Sequence, residues 1–391
     1  NQQSSFGFSC SDYSIARLGG NQFIAILEMG EHQSINEEIE NINNTLTGTT
    51  FLDYYGFRLS IATGVLPVDT PKFEEIWHRC IDEMLINAKD HSDGDSRIVY
   101  GEELLHSLER HDVIEKRLLE CCASDNFELR FMPIFNAKTL QIDGAECLIR
   151  CPALFDIKAG PDEFIPAAEK SNLISKLDMW VISTAIKSYK ELSEIHQYKG
   201  TLSINISAME LYNRNFADNI RKVLERYQVP PGNIIIEITE TSYVKSSKLT
   251  VQTIESIRSL GLKVSLDDFG TGYTAFNQLL HYPVDELKID KSFIDNIVDD
   301  KADRKMVESM VNLGHSCDTF VVGEGVESLE QYHHLRKANC DLIQGYFFSQ
   351  PLTYIEFIEF VRDHNPQAIL DQQSLLEPSS NERIVALNQK Q

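Results

Sequence analysis

Between residues 129 and 348 the sequence alternates short apolar runs with amphipathic stretches, and this alternation constrains the fold more than any other feature. Strand-like runs occur at 129–135, 142–150, 201–207, 233–239, 263–269, 286–290, 319–326 and 342–348. Stretches with apolar residues at helical spacing separate most of them, for example 177–195, 216–227, 248–260, 301–313 and 329–338. Eight strands alternating with helices predict an α/β fold, a (β/α)8 barrel of the TIM type, over residues 125–365. A doubly wound sheet is the alternative that the pattern alone leaves open. Residues 101–124 read as a polar linker helix, with Leu104, Leu105, Leu108, Ile114 and Leu118 at roughly helical spacing. Residues 1–100 hold strand-like runs at 23–27 and 57–62 and a helix-like stretch at 73–89, which predicts a separate, smaller α+β unit. The tail, 366–391, is rich in Gln, Ser, Asn and Glu and has no core pattern.

Several of these strands carry ionisable or amide groups inside apolar runs. Glu146 lies in Gly-Ala-Glu-Cys-Leu-Ile-Arg and Asn205 in Leu-Ser-Ile-Asn-Ile-Ser. Glu237 and Glu240 lie in Ile-Ile-Ile-Glu-Ile-Thr-Glu, and Asp267 and Asp268 end Val-Ser-Leu-Asp-Asp. Lys288 interrupts Glu-Leu-Lys-Ile-Asp, and Glu324 and Glu327 lie in Gly-Glu-Gly-Val-Glu. A carboxylate without a partner in a barrel core is costly. One alone reads as readily as a buried ion pair as a functional group. Six strands each delivering a polar group toward a common mouth point to a site, because the catalytic groups of such barrels come from the ends of several strands. Carboxylates with one amide, and no Cys or His, favour hard cations such as Mg²⁺ or Mn²⁺. The adjacent Asp267 and Asp268 would let one carboxylate bridge two metals, which suits in-line displacement at phosphorus. Lys288 would then hold the attacking water or offset phosphate charge. The stretch that follows, to Tyr273, has two glycines free to take positive φ; it reads as a gate or as an ordinary loop.

The balance of 36 Lys and Arg against 59 Asp and Glu, a formal net charge of −23, argues against a nucleic-acid polymer as partner. An anionic substrate would need a local positive offset, which metals held by clustered carboxylates supply. Eight cysteines show neither a CxxC pair nor a zinc-like spacing, so reduced thiols and a cytoplasmic location are expected. No signal peptide opens the sequence, and no run of about 18 apolar residues predicts a membrane span.

At these polar intrusions the sequence resembles the EAL family of cyclic di-GMP phosphodiesterases, over about residues 111–365. The naming motif stands as Glu146-Cys147-Leu148, followed by Ile149 and Arg150. The resemblance implies that Glu146, Asn205, Glu237, Asp267, Asp268 and Glu324 bind two divalent metals, and that Lys288 acts at the water. It implies that Arg150 contacts a substrate phosphate, and that Glu327 and Gln344 complete the polar site. It further implies that Glu240 and the loop of residues 268–273 couple the metal site to a homodimer interface, near residues 240–244 and the helix after 271–276. Two positions depart from the family pattern. Met132-Pro133 stands where Gln-Pro is usual, and Cys151 where an aromatic residue usually follows the arginine; both bear on substrate affinity.

Residues 1–100 resemble the C-terminal half of a GGDEF domain, the diguanylate cyclase fold, through residues 16–23, 59–64 and 82–89. The two acidic residues of that family are Asn21 and Gln22 here, which implies a degenerate, cyclase-dead remnant. Two functions follow from the resemblance. One is hydrolysis of cyclic di-GMP to linear pGpG; the other is a receptor that binds cyclic di-GMP without cleaving it and signals to a partner. The ligand set reads as complete, which favours the enzyme.

Overall fold

A computed structural model describes residues 101–240, 248–271 and 284–366, with short stretches before Gly101. The chain forms two compact units, Asn1–Asp112 and Val113–Gln391. In the first, β1 (Tyr13–Gly19) and β2 (Gln22–Leu27) pair as an antiparallel hairpin that closes with Gly19 opposite Gln22. β3 (Thr63–Val65) and β4 (Ile98–Tyr100) pair in parallel. Asn21, residues 59–62 and 82–89, and the tail beyond 366 lie outside the described residues.

A helix, Gly101–Ser124, leads into the second unit. Its later turns belong to that unit, where Ile114, Leu118, Cys121 and Cys122 are buried with Phe127, Leu154, Phe164 and Leu177. The helix expected as a linker is therefore partly a wall of the barrel unit.

Eight strands then close a barrel: β5 (Glu128–Asn136), β6 (Ile142–Arg150), β7 (Thr201–Asn205), β8 (Ile234–Thr239), β9 (Lys263–Phe269), β10 (Glu286–Ile289), β11 (Phe320–Gly323) and β12 (Leu342–Ile343). The Ile, Val and Leu runs supply the stiff β-branched and apolar side chains that strands covered on both faces need. Ile204, Ile236, Leu266, Leu287 and Val321 are fully buried. Helices such as Ile174–Ile195, Phe216–Tyr227 and Lys301–Ser316 pack an apolar stripe onto this wall. Their starts follow capping chemistry: Asp300 accepts from the Ala302 and Asp303 N–H groups, and Ser328 with Gln331 forms a capping box before Leu329–Lys337.

The structure departs from the expected barrel in two places. β5 runs antiparallel to both its neighbours, β6 and β12. No helix separates β5 from β6, because the chain reverses within 137–141. Asn136 Oδ1 accepts from the Lys138 and Thr139 N–H groups, and Leu140 takes φ 56°. The last two strands are also shorter than their apolar runs. Gly325, at φ 66°, turns the chain out after β11, and Gly345 ends β12.

Gly345 is tightly specified, since a Cβ there would overlap the Val326 peptide, whose N–H donates to Gln344 O at 3.0 Å. Gly345→Ala is expected to lower unfolding stability by at least about 1–3 kcal/mol, the usual range for overpacking. Urea denaturation checks it; an unchanged midpoint would show that the backbone yields at no cost.

Candidate active site

The C-terminal ends of β6 through β12 bring one polar group after another into the barrel mouth. Lys288, on β10, is the centre of the arrangement and is 1% exposed. Its Nζ lies 2.7 Å from Glu324 Oε1, 3.1 Å from Glu237 Oε2, 3.3 Å from Glu146 Oε2 and 3.4 Å from Asp267 Oδ1. Burial pulls the ammonium pKa down, but the surrounding carboxylates outweigh this and hold it well above its ordinary value.

Glu146 is held by three donors. Asn205 Nδ2 donates to Oε1 at 2.6 Å, Gln344 Nε2 to Oε2 at 2.6 Å, and Lys288 donates to the same Oε2. Burial raises this carboxyl, yet Lys288 and the two amides more than offset it, so it stays below the ordinary carboxylate value. Glu237 is fully buried, and desolvation pushes its carboxyl well up despite Lys288. Desolvation likewise raises Glu324 to about 8, and desolvation with the Asp267 charge raises Asp268 to about 6.

The consecutive Asp267 and Asp268 depend on a local irregularity. The β9–β10 register shifts between Leu287 and Ile289, and Asp268 takes φ 57°. A bulge of this kind re-aims a side chain at a strand end. The Asp268 N–H donates to Asp267 Oδ1, and the Gly270 N–H, at φ 103°, donates to Glu240 Oε2 at 2.8 Å. Glu240 is buried and thereby ties the loop after β9 to the end of β8.

Glu146, Asn205, Glu237, Asp267, Glu324, Lys288 and Gln344 are thus brought together. Four expected site residues stand apart from this cluster, Glu240 at the Gly270 N–H being one. Glu327 lies at the rim and pairs with Lys291. Its backbone N–H donates to Gln331 Oε1 at 2.7 Å, which directs it toward the next helix. Arg150, at the end of β6, is half-buried and donates from Nη1 to Ile149 O at 2.9 Å. Asp268 meets the cluster through its backbone, its N–H donating to Asp267 Oδ1 at 3.0 Å. Met132 is buried and is the cross-strand partner of Glu146, so the departure from Gln places an apolar side chain beside the site. Lys291 was missed by the sequence reading, although its place three residues after Lys288 was a signal. The expected dimer contacts fall largely on residues 241–247 and 272–283, which lie outside the described residues.

The donor set suits a hard cation. Four carboxylates face one ammonium, and two inward oxygens, Glu237 Oε1 and Gln344 Oε1, are buried with no hydrogen-bond partner. Among the described residues no group of three or more His, Cys, Asp or Glu is spaced to hold a metal as the side chains stand, because the Lys288 ammonium occupies the point where these oxygens converge.

A family model described as EAL domain matches residues 115–351, more than half of the 391-residue chain. The chain belongs to the EAL-domain family. The signaling protein YkoW of Bacillus subtilis is 30% identical over 367 residues, covering 90% of this chain and 44% of its own. Cyclic di-GMP phosphodiesterase NbdA of Pseudomonas aeruginosa is 27% identical over 350 residues, 89% of this chain and 44% of its own. The EAL-domain barrel also superposes on the solved structure "PaMucR Phosphodiesterase, c-di-GMP complex" with a TM-score of 0.59 and 28% identity, over 62% of this chain and 99% of that one. This EAL-domain chain therefore spans less than half the length of these two curated relatives. No helix among its described residues is long and apolar enough to cross a membrane.

Proposed function

We propose that this chain hydrolyses cyclic di-GMP to linear pGpG. The observation that carries the reading is the convergence of Glu146, Glu237, Asp267 and Glu324 on Lys288, with Asn205 and Gln344 fixing Glu146. Glu146, Asn205, Glu237, Asp267, Asp268 and Glu324 would hold two divalent ions, Mg²⁺ or Mn²⁺, which supply an activated water and offset charge at phosphorus. Lys288 lies within the same cluster and serves the attacking water or the phosphate charge. Arg150, at the edge of the mouth, contributes a contact to a substrate phosphate, and Asn205 and Gln344 orient Glu146 while facing the substrate. Glu240 holds the loop after β9 in register with the site, and Glu327 with Lys291 borders the entrance.

The N-terminal unit is proposed as a cyclase-dead GGDEF remnant, on the basis of Asn21 and Gln22, that serves as scaffold or regulator. The test incubates the purified chain with cyclic di-GMP and Mg²⁺ or Mn²⁺, then separates the products. Linear pGpG that vanishes with EDTA is expected, and no cyclic di-GMP should form from GTP. Binding of cyclic di-GMP with no linear product in Mn²⁺ would replace this reading with the receptor.

A further inference from the structure

Below the cluster around Lys288 the barrel interior changes character. Ser203, Ser265 and Glu286 each precede a site residue by two positions: Asn205, Asp267 and Lys288 respectively. Side chains on a strand alternate between faces, so these three point inward, one layer deeper. Their exposures are 0%, 0% and 5%. Ser265 is the cross-strand partner of both Glu237 on β8 and Glu286 on β10, and Ser203 is the partner of Glu146. They are therefore neighbours across adjacent or alternate strands of one barrel wall.

Two independent observations distinguish this wall. First, Ser203 Oγ, Ser265 Oγ and Glu286 Oε1 are all buried with no partner within hydrogen-bonding distance, although the Ser265 hydroxyl lies close enough to the Glu286 carboxyl to lower its pKa. Buried polar groups are nearly always satisfied, by protein or by ordered water. Second, interior layers of such barrels are usually filled by bulky Val, Ile and Leu. The other side of the interior obeys that rule, with Ile134, Val322 and Leu342 forming their own buried cluster. On the polar side two serines stand where branched residues are usual. A buried water needs two to four polar partners, and this wall offers them.

We propose that the barrel interior one layer below Lys288 is a binding site for ordered water, held by Ser203 Oγ, Ser265 Oγ and Glu286 Oε1. The site lies below the groups assigned to phosphodiester hydrolysis and does not depend on that assignment. Water there satisfies the three orphaned groups and gives the lysine–carboxylate layer a polar floor.

A high-resolution crystal structure of the full chain tests this. Solvent density within hydrogen-bonding distance of at least two of the three atoms is expected. Absent density, or serine hydroxyls turned to bond strand carbonyls, would overturn the proposal. So would an anomalous peak at this position after a rubidium soak, which would make the occupant a monovalent cation. Xenon gives a second readout, because dry apolar cavities bind it and wet polar ones do not. The parent should take up none at this position, whereas the S203A/S265A double variant should show a xenon peak there. Xenon in the parent would overturn the water assignment without reference to the variant.

Discussion

Replacing Glu146 with alanine is expected to cut turnover of cyclic di-GMP by orders of magnitude while the barrel stays folded. This carboxylate is the acceptor shared by Asn205, Gln344 and Lys288. Its loss removes a proposed metal ligand from a site whose chemistry depends on generating a nucleophile and stabilising developing charge. It also leaves buried donors facing a void, at about 1–3 kcal/mol for each group left unsatisfied. Urea denaturation must therefore accompany the assay, so that lost activity is read only on folded protein. Turnover within tenfold of the parent would remove Glu146 from the machinery.

The second large effect is expected at Lys288. Breaking a buried ion pair by removing one partner typically costs about 3–5 kcal/mol, because an uncompensated charge remains. Here one ammonium faces four carboxylates at once. Lys288→Met should thus destabilise the metal-free chain by at least that order and should abolish efficient hydrolysis. The sign of the pH dependence follows from the carboxylates. Burial already raises the Glu237 and Glu324 carboxyls against the pull of Lys288, and Lys288 helps to hold Glu146 down, so removing the ammonium moves all three upward and the folded state binds more protons than the unfolded one. The deficit should then shrink as pH falls and grow as it rises. Mn²⁺ should restore part of the stability by supplying the missing positive charge, since a ligand bound only to the folded state stabilises it. Equal stability of Lys288→Met and parent across pH, with and without Mn²⁺, would show that the cluster is solvated and not a charge trap.

Much of this was legible in the sequence, for identifiable reasons. Strand positions could be read because Ile-Ile-Ile-Glu-Ile and Val-Ser-Leu-Asp-Asp are too apolar and too short for anything but a covered strand. The inward set could be read because a carboxylate in such a run has to be explained. The direction of β5 was not read, although the gap between residues 135 and 142 is too short for a helix and Asn136 offers an Asx turn. The four-way pairing of Lys288 depends on register across five strands, which spacing along one strand cannot report. Glu327 was expected in the site from its run with Glu324 and from the family resemblance; Gly325 and the cap of the next helix place it at the rim. Ser203, Ser265 and Glu286 went unnoticed because serine in a strand raises no alarm. Their two-residue offset from Asn205, Asp267 and Lys288 was the available signal.

The reversed first strand also decides where the barrel can be pushed. In a barrel of uniformly parallel strands, whatever precedes the first strand attaches at the base, and a pull on it must pass through every packed layer before it reaches the chemistry. Here Glu128, the first residue of β5, pairs with Arg150, the last of β6. The helix Gly101–Ser124 therefore hands over to the barrel at the open end, and Arg117 on that helix bonds Ala153 O and Asp156 just beyond Arg150. Lys176 bonds the Cys122 carbonyl near the end of the same helix. The path from this helix to Arg150 is thus one strand pair and a few polar contacts, and it does not pass through the carboxylate layers. What precedes the barrel is therefore joined to it at the doorway rather than at the floor.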